Sequence, residues 1–408
     1  MLGSLVRAGV QGSAVPRSRF LASWFSLANR IVAVEGRPRF GQQVTPLLAP
    51  GPTGRKRTVR ILNWNLLHHR RDNERRLEVV ARALEAEQPD MVALQEVSQS
   101  WFMRRANRAK VLATRLGFAW SYRGTNGVPK LWEEGLAVLA RRPIVRTARR
   151  RLDGSSPRPL NARRVLIGET RLEDGTPFAV ASVHLSFPEN GEVENLEQAL
   201  DAADLLARET LARGIPAVLV GDLNASAAAL SIRALTTREI LGGDAPFVDA
   251  WAAVGSGAGI TSCPTNPYTD APTEPPKRID YVLVLQGTRP VATPVAARVI
   301  GDRPTEEGLY GSDHFGLVVD LELGSPAATG QRADRQEARA AAHDLCARIA
   351  QVRSKIRAIR SEARSEIQRV RSTLPRDQSG GSWGPTWAQQ LRAHTLAKVR
   401  AAFGQPLP

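Results

Sequence analysis

Short apolar runs alternate with longer amphipathic segments across residues 58–325, and this alternation indicates how the chain folds. Three segments repeat apolar residues every three or four positions, which predicts helices over 73–87, 101–116 and 192–212. β-type runs lie around and between them, at 59–62, 91–94, 135–139, 164–171, 178–183, 217–220, 278–285 and 316–323. Because hairpin-like neighbours mix with helix-separated strands, the pattern predicts an α/β fold of two sheets covered by helices.

A different pattern begins after residue 325. Apolar residues recur there in steps of four and three, at Leu345, Ile349, Val352, Ile356, Ile359, Ala363, Ile367 and Val370. This seam predicts one long helix over about 338–372, before a Gly-rich break at 379–385 and an amphipathic helix over 386–403. Such a helix packs on the body or pairs in a coiled coil, so self-association through 338–372 is one expectation. Because its flanks are rich in Arg, contact with nucleic acid or anionic lipid is a second expectation.

Charge divides the chain at the same places. Residues 1–57 carry nine basic residues and one acidic residue, and residues 326–408 carry fifteen and six. The 32 basic and 33 acidic residues that remain leave 58–325 nearly neutral, although the whole chain has a formal net charge of +16. We therefore predict three parts: a basic, partly disordered leader and linker (1–57), a catalytic domain (58–325) and a basic helical extension (326–408). The basic tails suggest contact with a polyanion or an anionic membrane.

The cysteines and the apolar runs exclude several protein classes. Cys263 and Cys346 show no metal or redox spacing, which argues against a disulfide framework and a Cys-based zinc site. No stretch approaches 18 apolar residues, and the apolar run at 20–27 is short and interrupted. Neither a transmembrane helix nor a signal peptide is therefore expected, and a cytoplasmic location is the prediction. The Arg- and Ser-rich leader leaves a transit-like or peripheral membrane role open.

Acidic, amide and imidazole side chains cluster where these apolar runs begin or end. The clusters are Asn63-Trp64-Asn65, Gln95-Glu96, His184, Asp222-Leu223-Asn224, Asp280 and Ser312-Asp313-His314. Strand ends can hold several side chains rigidly around one point. Hydrolysis of a phosphoester needs a cation on the phosphoryl oxygens, an oriented water and a stabilised leaving oxygen. Any one of these residues alone would more often be a turn or cap residue, but their conjunction predicts a hydrolase of this kind.

Oxygen ligands define the expected metal position. Glu96 is the best candidate carboxylate for Mg²⁺, for which Mn²⁺ is a possible substitute, with Asn65 as an amide partner and Asp313 close by. Asp222 is suited to orient and deprotonate a water molecule. Asn224 lies two residues further on, and its amide can donate to a phosphate oxygen.

Two imidazoles complete the predicted catalytic set. His314 can donate to a non-bridging phosphate oxygen, and Asp280 could fix its tautomer. His184 is the second imidazole, and Glu134 is a supporting carboxylate that could orient it.

The order of these residues along the chain resembles the endonuclease/exonuclease/phosphatase superfamily. That group contains DNase I-like nucleases, exonuclease III-type repair enzymes, neutral sphingomyelinases and inositol polyphosphate 5-phosphatases. The resemblance covers about residues 58–323 and neither tail. It implies a four-layered α/β sandwich of two mixed sheets and a Mg²⁺-dependent enzyme. His184 together with the segment 134–139 is more similar to the DNase I and sphingomyelinase branches than to the exonuclease III branch.

The resemblance leaves the substrate open. One expectation is a nuclease acting on nucleic acid, for which 149–151, 163–164 and 277–278 supply local basic residues. A sphingomyelinase-like or other lipid or small-molecule phosphodiesterase or phosphatase is the alternative, with the basic tails as membrane anchors. A catalytically silent scaffold is the third hypothesis, and the intact set of site residues argues against it.

Overall fold

The computed structural model describes ten segments of the chain. These are residues 57–68, 72–100, 106–128, 131–153, 162–187, 191–269, 272–288, 290–324, 331–373 and 385–403. The predicted leader and linker, apart from Arg57, and almost all of the predicted Gly-rich break lie outside them. The described residues belong to one compact unit.

Two six-stranded sheets form the centre of that unit. In chain order the strands are β1 (Arg57–Asn65), β2 (Met91–Gln99), β3 (Ala119–Val128), β4 (Trp132–Ala140), β5 (Ile144–Arg151), β6 (Arg164–Arg171), β7 (Pro177–His184), β8 (Ala217–Asp222), β9 (Phe247–Asp249), β10 (Asp280–Leu285), β11 (Ala292–Ile300) and β12 (Gly316–Leu323). The first sheet has the order β11-β12-β1-β2-β4-β3, and the second has the order β5-β6-β7-β8-β10-β9.

Helices pack against both sheets, most of them on the outer faces. They are α1 (Asn73–Glu87), α2 (Arg108–Leu116), α3 (Glu192–Glu209), α4 (Leu230–Thr236), α5 (Ala250–Val254), α6 (Gln331–Thr373) and α7 (Pro385–Ala402). Of the helix predicted over 101–116, residues 101–105 lie outside the described segments. The helix begins at Arg108, where the side chain of Asn107 caps it by accepting from the backbone N–H of Lys110 at 3.1 Å. In the described part of the chain, no helix has the length and apolar character needed to cross a membrane.

Each sheet contains one parallel pair of strands that is connected through a helix. β1 and β2 are parallel with α1 between them in the chain, and β7 and β8 are parallel with α3 between them. Parallel neighbours need such a crossover, whereas antiparallel neighbours can be joined by a short turn. The register brings the last residues of β1 and β2 level with the first residues of β12 and β4. In the second sheet, the last residues of β7 and β8 are level with the start of β10. Each sheet therefore collects several strand ends at one edge.

The core consists of three apolar layers. Alternate residues along each strand face opposite sides, so Ile61 packs between the sheets while Leu62 packs under α1 and α2. A third layer lies between the second sheet and α3, with Leu196 and Leu200 at its centre. Helix, sheet, sheet and helix follow one another, which confirms the predicted four-layered α/β sandwich.

The apolar seam of the C-terminal extension packs on the body. Leu345, Ile349, Val352 and Ile356 are buried in the same layer as the apolar side of α3. From α7, Val399 and Phe403 join this layer. The packing accounts for most of the seam within one chain, and the coiled coil and self-association through 338–372 stay predictions.

Charge complementarity aligns the extension on α3. Arg360 contacts Glu197 at 2.5 Å, and Arg400 contacts Glu192 at 2.8 Å. Half-exposed ion pairs of this kind add little stability each, about 0–1 kcal/mol. Because one pair comes from α6 and the other from α7, they fix the orientation of both helices on α3 more than they strengthen the contact. Part of the basic charge of the extension is therefore matched by the acidic side of α3.

We expect the seam residues to differ in their contribution to stability according to burial. Ile356 is 0% exposed and Val370 is 56% exposed, although both belong to the same repeat. Ile356→Ala should lower the free energy of unfolding of the full chain by about 2–5 kcal/mol, because it leaves a cavity against α3. Val370→Ala should change it by less than about 0.5 kcal/mol. Urea unfolding followed by circular dichroism measures both, and equal effects would show that the seam is not packed as described.

Candidate active site

The predicted site residues lie at the edge where the strand ends collect. In the second sheet, His184, Asp222 and Asp280 stand level on three adjacent strands. All three face the first sheet, because their side chains lie on the same side as the residues packed between the sheets. From the first sheet, Asn65 ends β1 and Glu96 lies near the end of β2.

Two amide side chains of β1 join the sheets at this edge. The Nδ2 of Asn65 donates to Glu96 Oε1 at 3.1 Å and to Asp222 Oδ2 at 3.0 Å. Two residues earlier, on the same face of the strand, the Nδ2 of Asn63 donates to Asp280 Oδ1 at 3.1 Å. The amide of Asn65 is held in this orientation because its oxygen accepts from the backbone N–H of Leu67. The sheets are thus linked by hydrogen bonds to the carboxylates of the site.

A bulge in β2 aims Glu96 into the site. The register with β4 shifts between Leu94 and Val97, and Glu96 has a positive φ of 51°. In a regular strand, Gln95 and Glu96 would point to opposite faces. Here Gln95 donates to Ser182 Oγ of the other sheet at 3.2 Å, while Glu96 contacts Asn65 from the same side. The bulge therefore places two consecutive side chains in the space between the sheets.

His68 is a member of the site that the sequence did not indicate. Its Nδ1 lies 2.8 Å from Glu96 Oε2 and 3.7 Å from Glu134 Oε2. Glu134 was expected to orient His184, but within the segments described it lies with His68 and Glu96 and forms no hydrogen bond to His184. The side chains of His68, Glu96 and Glu134 are close enough together to hold one cation.

The two predicted imidazoles flank Asp222. His314 Nδ1 is 2.8 Å from Asp280 Oδ2, and its Nε2 is 3.7 Å from Asp222 Oδ2. His184 Nε2 is 3.5 Å from the same Asp222 oxygen and has no hydrogen-bond partner among the described residues, although it is buried. A buried nitrogen without a partner is costly in a folded protein. Both Nε2 atoms can therefore contact a bound group beside Asp222.

Burial and neighbouring charges give these groups unequal proton affinities. Burial raises the pKa of Asp222 to about 7; the charge of His314 opposes this rise and that of Asp280 supports it. Burial alone would lower the pKa of His314, but the charges of Asp280 and Asp222 raise it well above the usual range. The pKa of His184 is lowered, by burial and by the charge of Arg163. The site thus pairs a protonated imidazole with a neutral one, on either side of a carboxyl that can exchange its proton near neutral pH.

Carboxylates crowd together around Glu96 in a way that fits a divalent cation. Burial and the charge of Glu96 raise the pKa of Glu134 to about 7. The pKa of Asp313 is also raised, chiefly by burial, with the charge of Glu96 adding to the rise. A cation held by Glu96, Asp313 and the remaining lone pair of the Asn65 oxygen would relieve this repulsion. Such oxygen donors suit a hard cation, and His68 adds one nitrogen.

Asn224 serves the site from the turn that follows β8. Its backbone N–H donates to Asp222 Oδ1 at 2.9 Å, and its Nδ2 donates to the carbonyl of Leu185 at 3.0 Å. The second hydrogen of that amide is available for a phosphate oxygen. Gly221, next to Asp222 in β8, has to be glycine, because a Cβ there would come within 2.0 Å of the Val183 carbonyl oxygen.

Buried side chains of the first sheet and of α1 hold the loops of the site. Trp64 is fully buried, and its Nε1 donates to the carbonyl of His314 at 2.9 Å. A Cβ at Gly316 would come within 2.9 Å of its ring, and a Cβ at Gly311 within 2.9 Å of Val80, so the loop that carries Asp313 needs glycine at both places. Arg76 donates to the carbonyls that follow β1, including that of His68 at 3.2 Å. None of these supports could be recognised from apolar patterns alone.

Comparison with known proteins places the chain in a family. The model of the endonuclease/exonuclease/phosphatase family matches residues 62–314. The chain therefore belongs to this family, and it is an enzyme of its metal-dependent, phosphoester-hydrolysing class. No match was found among curated proteins.

Solved structures with the same fold cover about two thirds of the chain. An endonuclease/exonuclease/phosphatase family protein from Leptotrichia buccalis is 21% identical with a TM-score of 0.50, over 65% of this chain and 100% of that one. TDP2 from D. rerio, complexed with a single-strand DNA product, is 19% identical with a TM-score of 0.50, over 65% and 98%. A mannosyl-6-phosphatase from Bacteroides thetaiotaomicron is 18% identical with a TM-score of 0.50, over 64% and 99%. At these identities the likeness concerns the fold.

We expect Asn63 to stabilise the fold through its contact with Asp280. Asn63→Ala should lower the free energy of unfolding by about 1–3 kcal/mol, because it leaves a buried carboxylate oxygen without a donor. Asn126→Ala is the control, since the described bond of that side chain is to the N–H of its own neighbour, Gly127. Chemical unfolding measures both variants. If Asn63→Ala destabilises the protein no more than the control does, this contact between the sheets does not contribute to stability.

Proposed function

We propose that this protein is a Mg²⁺-dependent phosphodiesterase that cleaves nucleic acid. The observation that carries the proposal is the placement of Asp222. It lies between two imidazoles, whose Nε2 atoms are 3.5 and 3.7 Å from its Oδ2, and Asn65 joins it to Glu96, the centre of the carboxylate cluster. A base, a hydrogen-bond donor and a cation position thus surround one point at which a phosphate group fits.

Asp222 is proposed to take a proton from the attacking water. A carboxylate with a pKa near 7 is poised to accept a proton at neutral pH and to release it afterwards. The amide of Asn65 and the backbone N–H of Asn224 hold its two oxygens, so its direction is fixed. The residue can therefore orient the water as well as deprotonate it.

The imidazoles are proposed to bind the phosphate. The protonated His314 donates from Nε2 to a non-bridging oxygen, and Asp280 holds the ring from the opposite nitrogen. His184 offers its unpartnered Nε2, and Asn224 offers its second amide hydrogen. Donors on several sides stabilise the negative charge that builds up on the phosphoryl oxygens.

Glu96, with Asp313 and Asn65, is proposed to hold the metal. When bound, a divalent cation would polarise the phosphoryl oxygens and stabilise the leaving oxygen. The chain itself supplies the negative charge that draws the cation in. His68 keeps the Glu96 carboxylate in place by donating to its second oxygen from the backbone N–H at 3.0 Å.

We expect hydrolysis of nucleic acid by the full chain with Mg²⁺ and none with EDTA. Plasmid DNA, single-strand oligonucleotides and structured RNA are compared with sphingomyelin and inositol phosphates under the same conditions. Asp222→Asn should lower the turnover of the preferred substrate by about 10²–10⁴-fold while the circular dichroism spectrum stays unchanged. Preferential cleavage of sphingomyelin or inositol phosphates would favour the lipid or small-phosphoester alternative. No hydrolysis of any phosphoester would support a silent scaffold.

We also expect Glu96→Gln to change the response to metal. Removal of its charge weakens cation binding, so half-maximal activity should need at least about tenfold more Mg²⁺. Isothermal titration with Mg²⁺ and with Mn²⁺ gives the affinity independently of activity. Glu133→Gln is the matched control, since Glu133 instead accepts from Gln99 at 2.5 Å. An unchanged affinity in Glu96→Gln would remove Glu96 from the metal site.

A further inference from the structure

Four arginines stand beside the candidate active site, between the edge strands of the two sheets. Arg149 and Arg151 lie on β5, Arg164 on β6 and Arg123 on β3. Arg151 is level with Arg164, and Arg149 with Leu166, which packs between the sheets. Arg123 is level with Leu136, which also packs between the sheets. All four arginines therefore lie on the side of their strands that faces the space between the two sheets, and we call them the arginine cluster.

The cluster lies in line with the catalytic row of the second sheet. β6 pairs with β7 so that Val165 is level with Val183, which brings Arg164 beside His184. Across β5, β6, β7, β8 and β10, the residues that stand level are therefore Arg151, Arg164, His184, Asp222 and Asp280. Neighbouring strands are about 4.8 Å apart, so Arg164 is about 10 Å from Asp222. One row thus runs from the catalytic carboxylates to the cluster.

Three arginines of the cluster have no ion-pair partner among the described residues, although an arginine next to one of them in the chain does. In the parts of the chain described, no hydrogen bond or ion pair involves the side chain of Arg123, Arg149 or Arg164, and the buried Nε atoms of Arg123 and Arg164 have no partner. Arg150, on the opposite face of the same strand as Arg149, donates to Asp201 and Asp204, each at 2.8 Å. Among the described residues, the arginine on one face of β5 thus has acidic partners, whereas Arg149 on the other face has none.

Burial and mutual repulsion within the cluster lower the pKa of two of its arginines. Burial and the charges of Arg123, Arg151 and Arg149 lower the pKa of Arg164, and burial and the charge of Arg149 lower that of Arg123. Glu133 is the carboxylate that opposes the effect on Arg123. Like charges held together in a folded protein cost stability, and such a cost is commonly kept where a ligand offsets it.

We propose that Arg123, Arg149, Arg151 and Arg164 form a subsite for a second phosphate of a nucleic-acid strand whose scissile phosphate lies at Asp222. The inference rests on the proposed function and names its substrate class. A strand carries one phosphate per about 3.4 Å when stacked, so a separation of about 10 Å is spanned by a few nucleotides. A phospholipid head group with one phosphate would leave the cluster empty. Guanidinium groups are the preferred partners of phosphate oxygens.

The test measures binding separately from hydrolysis. Affinities of the full chain for a fluorescein-labelled dinucleotide and hexanucleotide are measured by anisotropy in EDTA, so that no turnover occurs. The wild type should bind the hexanucleotide at least about tenfold more tightly than the dinucleotide, which cannot reach the cluster. Arg123→Gln/Arg164→Gln should remove most of this difference. It should also lower the dependence of log affinity on log salt by about 0.7, because one phosphate of the strand is no longer neutralised.

Two controls separate the cluster from general basic charge. Arg150→Gln changes the neighbouring position, and Arg335→Gln/Arg339→Gln removes the same charge from exposed positions on α6. Both should bind the hexanucleotide as the wild type does. Arg123→Gln/Arg164→Gln should unfold at a temperature no lower than the wild type, because repulsion is removed, whereas Arg150→Gln should unfold at a lower one.

The outcomes distinguish this inference from the proposed function. Unchanged binding in Arg123→Gln/Arg164→Gln, or equally weakened binding in the α6 control, overturns the subsite. Tighter binding of an inositol polyphosphate than of the hexanucleotide, abolished in the same variant, overturns the strand as its ligand. Hydrolysis of bis(p-nitrophenyl) phosphate by the wild type with Mg²⁺ tests the catalytic centre alone, because this substrate has one phosphate.

Discussion

Hydrogen bonds between two amides of one sheet and two carboxylates of the other are the contact on which the site depends. Asn63 and Asn65 reach across to Asp280 and Asp222. Apolar packing between sheets is non-directional and would tolerate small shifts, whereas a hydrogen bond to a buried carboxylate fails if the sheets move by an ångström. The same bonds fix the position of the catalytic carboxylates. Stability and catalytic geometry therefore rest on the same four side chains.

Much of this arrangement could be predicted from the sequence, because strand ends are easy to recognise. Apolar runs followed by polar residues placed Asn65, His184 and Asp222 at the ends of strands, and the helices between runs implied parallel pairs. Parallel pairs place their carboxyl ends at one edge. The pairing of Asp280 with His314 followed from their chemistry and is present at 2.8 Å. Local pattern and topology agree here, as they do in sequences with little frustration.

The parts that escaped prediction depend on irregular backbone. His68, which contacts Glu96, directly follows Leu67 with a positive φ of 49°, and neither propensity nor periodicity indicates such a residue. The bulge at Glu96 likewise breaks the alternation by which strands are recognised. As a result, Glu134 lies beside His68 and not beside His184, the partner predicted for it. Such departures from local preference are found most often where a site needs side chains that a regular strand cannot supply.

Charge counted along the sequence proves a poor guide to where an anion binds. The extension carries most of the basic excess of the described chain, but Arg353, Arg360 and Arg400 form ion pairs with acidic residues of the body. The body is nearly neutral in total, yet among its described residues it keeps arginines without acidic partners next to the catalytic row. The net charge of a chain counts residues on faces that one nucleic-acid strand could not contact at the same time. Local potential depends on which charges the fold has already neutralised, and by this criterion the arginine cluster is a basic surface among the described residues.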